Sequence, residues 1–159
     1  MRAIHIVALC AIAMAAGAAD EHHASHEHEA PGAAAYAPGL GEIMSLQQMR
    51  HAKLWLAGSK HNWPLAAYEL DELREGFEDV QKLHPTHEGV PVGAMAASLT
   101  PSPLEALDKA IEAQDAARFG KSFDQLTAAC NACHRAAQHA FIVITRPGAS
   151  SFPNQRFAP

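Results

Sequence analysis

Between residues 39 and 140 apolar side chains recur at three- and four-residue spacing, the period of amphipathic helices, and no stretch alternates at the period of a strand. Residues 39–58 form the first such run, closed by Gly58. At about 100° per residue its Leu40, Met44, Gln47, His51 and Trp55 share one face, while Met49 and Lys53 point elsewhere. A second run opens at Asn62-Trp63-Pro64, with Asn62 as N-cap and proline in the first turn, where its missing N–H does no harm. It carries Leu70, Leu73, Phe77 and Val80 and must stop before His84-Pro85, because the residue ahead of a proline is pushed out of the helical region.

Residues 86–102 hold Gly89, Pro91, Gly93 and Pro101 and read as a long crossover with one short helical turn around Met95. A third helix follows from Pro103 to Ala117 with Ser102 as its cap. Phe119-Gly120-Lys121 then reads as a short break, which predicts that the third and fourth helices are antiparallel neighbours. The fourth covers roughly Ser122 to His139 and includes Phe123 and Leu126. Phe141-Ile142-Val143-Ile144 is either a helix end or an extended apolar strip, and residues 146–159 form an irregular tail. The fold class expected is all-α, an antiparallel four-helix bundle over residues 39–145, with one core and no internal repeat.

The N-terminal end differs in kind. Residues 1–19 have a positive start at Arg2, an apolar stretch from Ile4 to Ala16 and small residues at Ala16-Gly17-Ala18-Ala19, the plan of a cleaved export signal. The stretch is too short to span a bilayer, so no stable membrane insertion is expected after cleavage. Residues 20–38 form a flexible leader rich in histidine and alanine. Its His22, His23, His26 and His28, beside Glu21, Glu27 and Glu29, suit zinc, copper or nickel, although a solvated tail explains them as well. Removing the signal takes the formal charge from −5 to −6, and no basic cluster marks a nucleic-acid partner.

The chemistry is concentrated in Cys130-Asn131-Ala132-Cys133-His134, the Cys-x-x-Cys-His pattern that fastens a c-type haem. On a helix the three side chains emerge from one face, so two thiols can reach the vinyl groups of a porphyrin edge while the imidazole reaches the iron. A thioredoxin-type dithiol would sit at a helix N-terminus after a strand, and no strand pattern precedes this one. A zinc site needs more donors; His139 is the nearest, and the third cysteine, Cys10, lies in the expected signal. Haem c, one per chain, is therefore the cofactor expected, and export agrees with it, since bacteria attach haem covalently outside the cytoplasmic membrane. The localisation expected is periplasmic.

Four helices with this motif late in the last resemble the cytochrome c′ group of four-helix-bundle cytochromes over about residues 39–140, the motif being the specific part of the match. The string Gly41-Glu42-Ile43-Met44 through Arg50-His51-Ala52-Lys53-Leu54-Trp55, with Asn62-Trp63 and Tyr68-Glu69, also resembles a group of exported proteobacterial proteins related to these cytochromes. The resemblance implies Cys130 and Cys133 as thioether anchors and His134 as proximal iron ligand. It divides at the sixth position: vacant in members that bind gases such as nitric oxide, filled by a first-helix methionine in low-spin members that carry electrons. Met44 is then the candidate distal ligand and His51 the lower-ranked one.

A one-electron carrier with periplasmic redox partners and no enzymatic reaction is the function expected, and a homodimer through the first two helices is an assembly known in the family. The rivals are a five-coordinate gas-binding protein and a metal-handling protein that uses the His-rich leader. Arg50, Lys53 and Arg135 are candidates to pair with haem propionates, or are solvated. Trp55, Trp63, Tyr68 and Phe77 read as core or haem-wall aromatics. Gln47 reads as a polar core residue or a distal hydrogen-bond donor.

Overall fold

A computed structural model of the chain describes residues 36–159. The expected export signal and its Cys10, and the leader as far as residue 35 with its four histidines, lie outside the described residues. The described part is all-α. It contains α1 (Leu40–Gly58), α2 (Trp63–Leu83), α3 (Val92–Leu99), α4 (Pro101–Glu112) and α5 (Ala116–Ala136). Among the described residues there is no strand, only an isolated bridge between His87 and Val90. None of these helices is long and apolar enough to cross a membrane.

The first two helices begin and end where the local signals put them. Asn62 Oδ1 accepts from the Leu65 N–H at 3.3 Å, and α2 stops at Leu83, with His84 beyond it in a non-helical conformation. The His84 Nε2–H donates to Pro38 O at 2.9 Å, so the end of the leader is tied to the end of α2.

Three boundaries differ from expectation. The crossover contains a two-turn helix, α3, whose Gly93 lies so close to the preceding loop that a Cβ there would stand 2.9 Å from Pro85 Cα. That glycine serves close packing rather than looseness. The third helix starts at Pro101, not Pro103, and its cap is Thr100 rather than Ser102. The Thr100 hydroxyl donates back to Ala96 O at 2.9 Å, so this residue closes α3 with its side chain as the backbone enters α4. The third correction is the break before the last helix, which falls at residues 113–115 instead of Phe119-Gly120-Lys121. Gln114 takes a φ of 53° there, and Asp115 Oδ1 accepts from the N–H groups of both Ala117 and Arg118 at 3.0 Å. With two of its orphan N–H groups capped, α5 starts early and runs straight through Gly120.

Helix α1 packs along α2 and α4 along α5, as the short connections predict; α2 also touches α3 and α4, while α1 meets α5 only over a short stretch. The core is centred on Leu54, Leu70, Leu73, Leu107, Phe123 and Leu126, each at most 1% exposed. A Cβ on Gly58 would stand 2.1 Å from the Phe119 ring, so α1 ends against α5 with no room for a side chain. Trp55 stacks on that ring at 6.1 Å between centroids, and Trp63 meets it edge-on at 5.9 Å. Tyr68, by contrast, is exposed rather than in the core or the wall of a cavity. The tail beyond residue 146 has no regular helix or strand, yet Phe157 is buried against the core with Phe152 beside it.

Candidate haem site

The incomplete meeting of α1 and α5 leaves a cavity of about 330 Å³, within the range of small-molecule and cofactor sites, about 300–1,000 Å³. Helix α5 lines it with Ala129, Cys130, Cys133 and His134, and α1 with Leu40, Met44, Gln47 and His51. Leu73, Phe77 and Val80 of α2 with Val92 and Ala96 of α3 make the rest of the wall apolar. Every residue proposed from sequence as thioether anchor or iron ligand therefore reaches one space.

Both cysteines are free thiols in the last two turns of α5, far from its N-terminus. Burial pushes the Cys130 thiol up to about 12, with Cys133 nearby adding to the effect, and burial raises Cys133 as well. A redox dithiol needs the opposite shift, which a helix N-terminus supplies and a helix C-terminus does not. A closed zinc site fares no better: among the described residues no group of three or more His, Cys, Asp or Glu side chains converges to hold a metal ion. Haem attachment requires no such convergence, because the sulfurs bond to carbon and only the imidazole faces iron.

His134 is oriented for that role. Its Nδ1 lies 3.0 Å from Ile142 O, so Nδ1 carries the proton and donates to the carbonyl, leaving Nε2 as the bare nitrogen. A ligating histidine commonly donates its second ring N–H to a backbone carbonyl in this way. Two free thiols and a pre-oriented imidazole on one wall of an apolar cavity fit a covalently attached haem.

On α1, His51 is 3% exposed, and burial lowers its pKa to about 4, so the ring is neutral. Its Nε2 lies 2.8 Å from Thr127 Oγ1, while the Thr127 hydroxyl donates to Phe123 O at 2.9 Å. A hydroxyl has one proton, so Oγ1 is the acceptor toward His51, which carries its hydrogen on Nε2. Nδ1 is then the free nitrogen. His51 itself lines the cavity.

Met44 is half-buried and packs on the core beside the same cavity. Gln47 Nε2 donates across to Leu73 O at 2.8 Å, the role of a polar core residue joining α1 to α2. Met49 does not line the cavity, and neither do Arg50, Lys53 and Arg135. Arg50 is held by Glu69 at 3.1 Å and Glu72 at 2.7 Å, and Lys53 lies over the Phe152 ring at 5.2 Å. Trp55 stands behind His51, its ring 5.0 Å from Phe123, which in turn lies 4.3 Å from the His51 ring.

Two histidines of the cavity wall have no haem role in the sequence pattern. His87, in the turn between α2 and α3, lines the cavity with His139, their rings 6.4 Å apart. The sequence offers His139 only as a zinc donor, and a turn has no period that would place His87. Comparison with protein-family models, with curated proteins and with solved structures finds no match to this chain.

Proposed function

We propose that this chain is an exported, periplasmic c-type cytochrome carrying one haem and acting as a one-electron carrier. The observation that carries the reading is that Cys130, Cys133 and His134 line one wall of an apolar cavity that α1 also lines with Met44 and His51. When bound, the haem supplies a reversible single-electron change at iron. The chain's own residues do the rest. Cys130 and Cys133 anchor the group, His134 presents Nε2, and the apolar wall from α2 and α3 keeps water away. No acid, base or substrate pocket is needed for an electron to pass, and weak docking to redox partners suits such turnover.

We read α1, α2, α4 and α5 as the four members of a cytochrome c′-like bundle, with α3 an addition in the crossover. Met44 is the better distal ligand of the two candidates. Both line the cavity, but the Thr127 bond at Nε2 and the Phe123 ring pin the His51 imidazole and fix where its unprotonated Nδ1 can reach, whereas Met44 is an unbranched, adaptable side chain. Met44 and His134 would then hold the iron together, a ligand pair that would raise its potential and suit an electron carrier.

Absorption and electron paramagnetic resonance spectra of the haem-loaded wild type beside Met44→Ala test this reading. A low-spin wild type that refuses carbon monoxide, converted to high-spin iron by Met44→Ala, is the result expected. A low-spin spectrum unchanged in the variant transfers the ligand role to His51. A high-spin wild type that takes up carbon monoxide makes the protein a gas binder instead.

A further inference from the structure

Past the end of α5 the backbone reverses at Gln138, which takes a φ of 63°, and the segment that follows runs back along the helix it has just left. Three of its residues, two apart, are tied to α5 in turn. Ile142 O faces His134 Nδ1 at 3.0 Å. Ile144 is held at both of its backbone groups by Asn131: its N–H donates to Oδ1 at 2.8 Å, and its carbonyl accepts from Nδ2 at 2.8 Å. Arg146 grips Asp124 at 2.7 and 2.8 Å and Gly120 O at 2.8 Å, with its guanidinium 4.2 Å from the centre of the Trp55 ring.

The register has a simple origin. Two extended residues advance about 6.6 Å, close to the rise of one helical turn, about 5.4 Å, so Ile142 and Ile144 meet successive turns of α5 at His134 and Asn131, and the long Arg146 side chain reaches two turns further back, to Asp124. Asn131 is the link that matters. It lies inside the motif between the two cysteines, its carboxamide is matched to the N–H and the C=O of one residue, Ile144, by an acceptor and a donor, and that match sets which carbonyl stands opposite His134. The strap's Phe141 and Val143 are exposed, so apolar burial of those side chains does not hold it in place.

We propose that Asn131 is a positioning residue for His134: by locking Ile144 it presents the Ile142 carbonyl to Nδ1–H and so fixes the tautomer, the ring plane and the basicity of the nitrogen that ligates iron. This rests on the haem reading above. A proximal imidazole that donates to a carbonyl is a stronger electron donor, which stabilises the oxidised iron. Weakening the strap therefore raises the reduction potential.

The test uses haem-loaded wild type, Asn131→Leu, Asn131→Asp and Arg146→Gln. Three quantities are measured: haem remaining on the chain after denaturation, reduction potential, and deuterium exchange of the His134 Nδ1–H by NMR. Expected is a higher potential and at least tenfold faster exchange in Asn131→Leu, with an intermediate shift in Asn131→Asp, which keeps the acceptor and loses the donor. Arg146→Gln, remote from the motif, shifts both in the same direction by less, and it decides the matter if Asn131→Leu fails to accumulate. Unchanged potential and exchange in fully loaded variants overturn the role of Asn131 and leave the cytochrome reading intact. A wild-type chain that carries no covalent haem overturns both.

Discussion

His51 of α1 and Thr127 of α5 join the two helices beside the cavity, Nε2 to Oγ1 at 2.8 Å, in the short stretch where α1 meets α5. The bond is directional, because the Thr127 hydroxyl is committed to Phe123 O and accepts from the ring. Thr127→Val removes the acceptor and strands a buried imidazole N–H, a loss of about 1–3 kcal/mol. Thermal or urea unfolding at neutral pH measures it, and an unchanged midpoint would show that the ring finds another acceptor.

The same burial makes the protein sensitive to mild acid. His51 has its pKa lowered from 6.5 to about 4, so between those values the unfolded chain takes up a proton that the folded one refuses. Its contribution is complete above the unfolded pKa and is lost as pH falls through 6.5 toward 4, roughly 3 kcal/mol at the limit. Stability followed across that window should fall, and His51→Leu should flatten the profile there. A parallel fall in the variant would assign the acid sensitivity to other groups.

Gly58 ends α1 against Phe119, where an added Cβ would lie 2.1 Å from the ring. Phe119 is 1% exposed and packed between Trp55, Trp63 and Phe123, so it has nowhere to move. Gly58→Ala should cost about 1–3 kcal/mol by overpacking. Gly41→Ala, where nothing lies within 4 Å, is the control and should be neutral or slightly stabilising. Equal effects of the two changes on denaturant midpoints would contradict the close contact.

Arg50 and Glu69 tie α1 to α2, with the carboxylate 1% exposed and the guanidinium 20% exposed. Arg50→Ala leaves that carboxylate buried beside nothing positive and should cost about 2–4 kcal/mol, less than breaking a fully enclosed pair because one end is open to water. Replacing both residues together, Arg50→Met with Glu69→Leu, should recover most of the loss. A double variant as unstable as the single one would mean that packing, not charge, is what Arg50 supplies.

Much of this architecture was legible in the chain. Asn62, Pro64, Gly58 and His84-Pro85 are strong local signals, so α1 and α2 match their expected limits. The face of Leu40, Met44, Gln47, His51 and Trp55 follows directly from helical period; the first four line the cavity, and Trp55 does not. What misled was glycine. Gly93 and Gly120 suggested looseness, but the first marks a close approach to Pro85 and the second is carried through α5 by the double cap of Asp115. The strap is half visible in the sequence, since its β-branched run fits either a helix end or an extended strip. Its fastening by Asn131 and Arg146, and the burial of Phe157, depend on contacts across distant parts of the chain that no local pattern encodes.

The central claim is that Cys130 and Cys133 hold a haem covalently beside His134. Expressing the full chain with a c-type cytochrome maturation system, denaturing it and weighing it tests this most directly. The account predicts a gain in mass of one haem per chain that survives denaturation, gives the pyridine haemochrome spectrum of a doubly thioether-linked haem and is lost in Cys130→Ala with Cys133→Ala. A folded, exported chain of unmodified mass, or one whose haem washes away on denaturation, would contradict it.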